Sequence, residues 1–214
     1  MSEALRNGGK NPGRRHGSAR RRILHAAAAR FYADGIAATG IDAITSDAGV
    51  AKMSLYNNFA SKADLVEAYI AARHDEWLAL YEARRSGART PLDRVLAVFD
   101  AYIDHAELGY AHGFRGCGLL NAAAELSVGE PGREAVRRHK EEVEAILLDP
   151  LRELTGESRA AETAEHCSFL LEGAVARAGL EGGPSRLQHA RALAERLVTA
   201  LPAEERQTRA EGRA

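Results

Sequence analysis

Apolar residues in this chain recur at intervals of three and four positions, and this spacing constrains the fold more than any other feature of the sequence. Leu92, Val95, Leu96, Phe99 and Ile103 fall on one face of a helix in this way. Stretches of alternating apolar and polar residues rich in Val, Ile and Thr, which would indicate strands, are missing from the sequence. The pattern predicts an all-α protein of about nine helices.

Small polar residues, glycine and proline mark where these helices begin and end. Ser18 is predicted to cap the first helix. Thr39 and Asp42 have the spacing of a capping pair at the start of the second helix, which Gly49 ends. Pro150 is expected to kink or split a later helix, because proline removes a backbone hydrogen bond.

Charge is distributed unevenly along the chain. Residues 1–74 carry 11 Lys or Arg against 6 Asp or Glu, whereas residues 75–214 carry 18 against 24. The net charge of −1 hides this division. The two parts are therefore expected to face different partners, and a basic first part suits the phosphates of a nucleic acid.

Cysteine content and hydropathy favour a cytoplasmic protein. Cys117 and Cys167 are the only cysteines in the sequence, so a disulfide framework is not predicted. The arginines at 20–22 are not followed by the uninterrupted apolar stretch of an export signal. No apolar run has the length of about 18 residues that a membrane span needs, so no membrane partner is predicted.

Two short predicted helices that meet at Gly49 have the layout of a helix-turn-helix, in which the second helix presents residues to the major groove of DNA. Ile44, Ala48, Val50 and Leu55 can pack inward, and Phe59 is predicted to lie in the core. The remaining side chains of the helix that follows Gly49 are polar or planar groups suited to phosphates and base edges. They are Lys52, Ser54, Tyr56, Asn57 and Asn58, and Lys62 lies one turn into the next helix.

Residues 18–70 resemble the N-terminal DNA-binding domain of the TetR family of bacterial transcriptional regulators. The string AGVAKMSLYNNFASKADLVEAYI, preceded by RFYADGIAATGIDAI, has the Gly-Val turn, the Leu-Tyr pair, the Phe and the Ser-Lys of that family. The resemblance implies a homodimeric repressor that leaves a palindromic double-stranded DNA operator when a small-molecule effector binds. Asp42, Thr45 and Asp47 depart from the family pattern, and Asp42 lies where many relatives carry a basic residue.

The resemblance also implies which residues face DNA and how the chain is divided. Tyr56 and Lys62 would contact phosphates, and Lys52 and Asn57 would read bases. The DNA-facing set is Thr39, Lys52, Ser54, Tyr56, Asn57, Asn58 and Lys62. The predicted divisions are a mobile basic arm (1–17), the helix-turn-helix domain (18–63), a helical regulatory and dimerisation domain (64–204) and a flexible tail (205–214).

The last two helical runs are predicted to pair with their symmetry mates, as the dimer helices of similar regulators do, and the middle helices to enclose the effector. An ordinary intramolecular core is the alternative for the last two runs. The candidate dimer residues are Ala164, Phe169, Leu170, Leu171, Ala174, Val175, Leu187, Ala190, Ala194, Leu197 and Val198. The candidate effector contacts are Trp77, Tyr81, Phe99, Tyr102, His105, Phe114, Cys117, Asn121, Glu125 and His166.

Other functions remain open at this point. A protein that coats DNA without sequence preference would also use the basic arm. Cys117 beside Arg115 suits a thiol-based redox sensor, although a buried structural thiol fits as well. An enzyme in which Cys117, a histidine and Glu125 act as a nucleophile system would leave the basic helix-turn-helix unexplained, so no catalysis is expected.

No cofactor or metal is predicted. The glycines of residues 113–118 lack the Lys-Ser/Thr ending of a phosphate-binding loop. The spacing of His105 and His112 with Asp104 and Glu107 does not suit a metal site on one helical face.

Overall fold

The computed structural model describes residues 12–110 and 113–200, with side chains from Ala19 onward. Within these ranges the chain forms nine helices and no strand, which confirms the predicted all-α fold. The helices are α1 (Pro12–Asp34), α2 (Ile41–Ala48), α3 (Lys52–Tyr56), α4 (Lys62–Arg85), α5 (Pro91–Glu107), α6 (Gly118–Ala124), α7 (Pro131–Thr155), α8 (Glu157–Glu181) and α9 (Ser185–Ala200).

The first helix is longer than its sequence pattern indicates. It begins at Pro12, upstream of Ser18, so part of the segment predicted as an arm is helical. Residues 1–11 of that segment, the predicted tail at 205–214 and His112 lie outside the described residues.

The chain divides into two compact units, the first ending at Tyr69 and the second beginning at Ile70. In the first unit α1, α2 and α3 pack on one another. Phe31 of α1 meets Tyr69 of α4 edge to face, with ring centroids 5.5 Å apart. Burying such large rings stabilises the first unit.

The predicted capping pair at the start of α2 is wrong. Gly40 is the N-cap, and no side chain caps the helix. The hydroxyl of Thr39 donates instead to the carbonyl oxygen of Gly35 at 2.6 Å, and the Thr39 side chain is buried. At the other end Gly49 has φ +59, a left-handed conformation that favours glycine, and this ends α2 as expected.

In the second unit α5, α7, α8 and α9 pack together, and α6 lies against α7. Pro91 occupies the first turn of α5, where its missing amide hydrogen and fixed φ fit the helix. Its N-cap Thr90 accepts a hydrogen bond from the Asp93 amide while the Asp93 carboxylate accepts one from the Thr90 amide. This reciprocal pair fixes where α5 starts.

Pro150 does not split α7, which runs unbroken from Pro131 to Thr155. Leu147 and Leu151 on either side of the proline are fully buried. An interior proline costs a helix about 3 kcal/mol, and the burial of two such leucines offsets a cost of that size.

In the part of the chain that the structure describes, no helix combines the length and the hydropathy needed to cross a membrane.

Candidate nucleic-acid interface and interior polar cluster

A short turn joins α2 to α3 and orients the second of these helices. The Gly49 amide donates to the Ser46 carbonyl, and the Val50 amide donates to the Thr45 carbonyl at 3.1 Å. Ile44 and Leu55 are both fully buried, so each helix has its apolar side in the core of the first unit. The opposite side of α3 therefore faces solvent.

The exposed side of α3 and the two residues that follow it carry most of the residues predicted to face DNA. Lys52, Tyr56 and Asn57 are exposed, and Lys62 is partly exposed. Ser54 and Asn58 are also partly exposed, and the Asn58 amide nitrogen donates to the Ser54 carbonyl at 2.7 Å.

Thr39 differs from the other residues predicted to face DNA, because its side chain is buried. Its side chain is only 2% exposed and its hydroxyl is engaged by Gly35, so the side chain is not available at the surface in this structure. The prediction that the Thr39 side chain lines the DNA face therefore needs correction, because the hydroxyl satisfies the backbone that leads into α2.

Several basic side chains of the first unit are paired within it. Lys52 Nζ lies 2.9 Å from Asp42 Oδ1, and this hydrogen bond raises the pKa of the lysine above its ordinary value. The Arg30 guanidinium donates to both oxygens of Asp47, at 2.7 and 3.2 Å. Arg20 lies over the ring of Phe59, 4.8 Å from its centroid.

The second unit contains a group of aromatic rings around Trp77 of α4. The indole is buried and lies parallel to the Tyr81 ring, with centroids 5.6 Å apart. Tyr102 of α5 lies 5.4 Å from it, and His139 of α7 lies edge-on at the same distance.

Charged groups lie next to these rings. Lys140 Nζ is 2.7 Å from Glu172 Oε1, 3.4 Å from the Tyr102 hydroxyl and 3.6 Å from Cys117 Sγ. Burial raises the pKa of the Tyr102 phenol above its ordinary value, so the phenol is neutral at physiological pH.

A second ion pair lies on α4 itself. Arg73 Nη1 is 2.9 Å from Glu76 Oε2, which in turn is 3.9 Å from His105 Nδ1. We call these two ion pairs and the side chains around them the interior polar cluster. Its members are Arg73, Glu76, Trp77, Tyr102, His105, Cys117, His139, Lys140 and Glu172.

Three buried atoms of this cluster have neither a hydrogen-bond nor an ion-pair partner among the described residues. They are Arg73 Nε, Trp77 Nε1 and Glu172 Oε2. An unpaired buried polar group costs about 1–3 kcal/mol, so a concentration of three in one cluster calls for a further polar partner.

The histidines of the cluster are neutral at physiological pH. Burial, reinforced by the positive charges of Arg73 and Lys140, lowers the pKa of His105 to about 4. Burial, reinforced by Lys140 and His74, lowers the pKa of His139 to about 3. The cluster thus holds two ion pairs and no net charge from its histidines.

Comparison with known proteins points to one family. The model of bacterial regulatory proteins of the tetR family matches residues 23–69, which end where the first compact unit ends. Over 94 residues the chain is 33% identical to the HTH-type transcriptional repressor KstR2 of Mycobacterium tuberculosis. That match covers 44% of this chain and 47% of the length of the repressor.

Solved structures extend the likeness to nearly the whole chain. A TetR-family transcriptional regulator from Streptomyces coelicolor is 28% identical with a TM-score of 0.79, and the match covers 86% of this chain and 96% of that one. A TetR regulator from Chloroflexus aurantiacus is 26% identical with a TM-score of 0.77, covering 88% and 98%. Residues 23–69 match the TetR family, and the chain has the fold of TetR-family regulators over nearly its whole length.

Within this TetR-family fold, the structure brings together most of the predicted effector contacts. Trp77, Tyr102, His105 and Cys117 belong to the interior polar cluster, and Tyr81 stacks on Trp77. Phe114 packs edge-on against His105, with ring centroids 6.2 Å apart. Phe99 is fully buried in the core.

Three predicted effector contacts lie elsewhere. Asn121, Glu125 and His166 are exposed, and the Asn121 amide donates to the Arg115 carbonyl at 3.1 Å. Assigning these three side chains to a buried site is therefore wrong for the structure described. They lie on α6, on its C-terminal end and on the outer side of α8, where polar residues remain in water.

Sequence reasoning missed the charged half of the cluster. Arg73, Glu76, His139, Lys140 and Glu172 resemble ordinary residues of solvated helix faces. A signal was nevertheless present for Lys140, which lies four positions after Val136 and three before Val143, both buried. A lysine in register with an apolar stripe is a candidate for burial.

The structure does not place Cys117 and Glu125 together, as a cysteine nucleophile with that carboxylate as its partner would need. The Cys117 sulfur is buried beside Lys140, whereas Glu125 is exposed. Of the residues considered as metal ligands, Asp104 is bonded to Arg84 and Glu107 is exposed. The described residues contain no group of three or more His, Cys, Asp or Glu side chains placed to hold a metal ion.

Proposed function

We propose that this protein is a DNA-binding transcriptional repressor that acts as a homodimer and is released from a palindromic operator by a small-molecule effector. The observation that carries the proposal is the exposed polar side of α3, with Lys52, Tyr56 and Asn57 outward and Leu55 in the core. Such a helix fits the major groove, where polar side chains meet base edges and phosphates.

An exposed apolar stripe on α8 supports dimerisation. Phe169 and Leu180 are 64% and 88% exposed, and exposed Gly173 and Ala176 lie between them at helical spacing. The residues on which the sequence placed the dimer are mostly buried within the chain itself. Ala164, Leu171, Ala174, Val175, Leu187, Ala190, Ala194 and Val198 belong to that intramolecular core.

The interior polar cluster is the proposed effector site. It supplies aromatic surface from Trp77 and Tyr102 and three unpaired polar atoms, which suits a small molecule that is partly aromatic and partly polar. A ligand that pairs with Trp77 Nε1 and Glu172 Oε2 would remove the cost of leaving them unpaired.

Helix α4 supplies the connection between effector and DNA. It begins at Lys62 in the first unit and carries Arg73, Glu76 and Trp77 in the second. An effector that shifts this helix would change the separation of the two DNA-binding units of a dimer, which the operator fixes at about 34 Å. A coupling of about 1–3 kcal/mol is enough to release DNA.

Fluorescence anisotropy tests the DNA part of the proposal. The purified protein is titrated against labelled duplex DNA from upstream of its own gene and against scrambled duplex of the same composition, at two salt concentrations. We expect binding at least a hundredfold tighter to the first, with two chains per site. Equal and steeply salt-dependent binding to both would favour a nonspecific coat.

Trp77 provides the readout for the effector, because it is the only tryptophan in the sequence. Small aromatic molecules with hydroxyl or carbonyl groups are titrated while its fluorescence is followed. A true effector should change this emission and release DNA over the same concentration range. A ligand that changes the emission of the Lys140→Met variant equally would contradict the assignment of the cluster.

A further inference from the structure

The side of the first unit that we propose faces DNA carries an exposed ion pair that contributes little to the stability of the fold. Lys52 Nζ and Asp42 Oδ1 are 2.9 Å apart, and the two side chains are 55% and 82% exposed. Exposed pairs of this kind add little to stability. A carboxylate near DNA phosphates is repelled by them, so Asp42 weakens binding unless it meets a hydrogen-bond donor on the DNA.

The other acidic side chain of α2, Asp47, is paired with a residue of α1 and not of α3. Both oxygens of Asp47 accept hydrogen bonds from Arg30 of α1, so its carboxylate is held against the neighbouring helix. Asp42 is instead held beside Lys52, the first residue of α3. The pair thus presents an ammonium with three donors and a carboxylate acceptor next to each other.

Base pairs differ in the order of their groups in the major groove. A G·C pair presents two acceptors, guanine N7 and O6, followed by the cytosine N4 donor. An A·T pair presents its donor, adenine N6, between two acceptors. A lysine that bridges guanine N7 and O6 leaves an adjacent carboxylate beside cytosine N4. On A·T the same lysine would meet the adenine N6 donor, and the carboxylate would face the thymine O4 acceptor, which repels it.

We infer that Asp42 and Lys52 act as one unit that reads a G·C base pair in each half-site of the operator. Lys52 donates to guanine O6 and N7, and Asp42 accepts from the cytosine N4 amino group. This inference rests on the proposed DNA-binding function and adds to it the identity of one base pair. It also gives Asp42 a role in specificity in spite of its cost in affinity.

Selection from a randomised duplex library tests the inference. The full-length protein and its Asp42→Ala, Lys52→Met and Asp47→Ala variants are each used to enrich bound sequences. Asp47→Ala is the matched control, because it removes a carboxylate from the same helix outside the pair. Circular dichroism melting of every variant establishes that the fold is retained, and Asp42→Asn provides a second variant at the same position.

We expect the wild-type motif to contain one G·C pair per half-site whose preference disappears in both Asp42→Ala and Lys52→Met. The other positions of the motif should persist, and Asp47→Ala should keep the wild-type motif. In duplexes of the selected sequence, replacing that pair by A·T should weaken wild-type binding roughly 5- to 150-fold. Replacing guanine by inosine, which leaves the major-groove edge intact, should have no effect.

Two results would overturn the inference, and they are distinguishable. If the wild type selects a motif that Asp42→Ala and Lys52→Met leave unchanged, the pair does not read bases and the proposed function stands. If the wild type binds no DNA even at low salt, the proposed function fails and the inference fails with it.

Discussion

Lys62 and Asn57 separate the two kinds of contact that the first unit is proposed to make with DNA. Lys62 is the first residue of α4, and Asn57 is the exposed residue that follows α3. An ammonium at the edge of the site suits a phosphate, and a planar amide suits a base edge.

Lys62→Ala is expected to weaken binding to all duplexes about equally. It should also reduce the slope of log affinity against log salt by about 1, because one phosphate contact is lost. Asn57→Ala should relax sequence preference and leave the salt slope unchanged. Anisotropy titrations on selected and scrambled duplexes at several salt concentrations measure both, and identical effects of the two variants would contradict the assigned roles.

The buried histidines make stability depend on pH. In the unfolded chain a histidine takes up a proton near pH 6.5, whereas in the folded protein His105 and His139 do so near pH 4 and 3. Their stabilising contribution is complete above about pH 6.5 and is lost as the pH falls towards 4.

Lowering the pH from 7 to 5 should therefore reduce the free energy of unfolding by about 1–2 kcal/mol for each of these histidines. Urea unfolding at both pH values measures it. The variant His139→Phe keeps a ring against Trp77 and should show a smaller pH dependence than the wild type. A wild type equally stable at both pH values would contradict the burial of these groups.

At the level of elements, the closest backbone contact is made by α8. A Cβ atom on Gly179 would lie 2.5 Å from the Gly116 nitrogen and 2.7 Å from the carbonyl carbon of Arg115. Both are backbone atoms, which cannot rotate away. The glycine therefore lets the segment before α6 pack directly on α8.

Gly179→Ala should destabilise the second unit by about 2 kcal/mol or more, although alanine is the better helix former. Gly183→Ala is the control, because a Cβ there meets nothing within 4 Å. Thermal and urea unfolding of the two variants give the comparison. A Gly179→Ala variant as stable as the wild type would mean that the two segments are not packed as closely as described.

At the level of the whole molecule, the exposed stripe on α8 decides the expected oligomeric state. Phe169→Arg places a charge in the exposed apolar stripe, at the position of its only aromatic side chain, where it would have to be buried without a partner in a dimer. Sedimentation velocity should show a dimer for the wild type and at least tenfold weaker self-association for the variant.

Val128→Arg is the matched control for that experiment, because Val128 is 89% exposed and lies outside α8. It should leave the dimer intact. A wild type that sediments as a monomer at all concentrations, or a Phe169→Arg variant that associates as strongly as the wild type, would contradict the proposed interface.

The sequence by itself determined that the chain is helical and where several of the helices begin or end. Gly49, Pro91 and Gly182 end or begin helices through local backbone geometry, which needs only neighbouring residues. The burial of Leu55 and Phe59 follows from helical spacing in the same way. The TetR-family resemblance also lies in this local pattern, which is why residues 23–69 carry it.

Only the tertiary structure decided which polar residues are buried together. Lys140 meets Tyr102 across 38 positions of sequence, and no local rule places these two side chains in contact. The burial of Thr39 and the unbroken course of α7 through Pro150 were decided in the same way. Helical periodicity specifies which side of a helix is buried, whereas the partner of each buried side chain depends on how helices from distant parts of the chain pack.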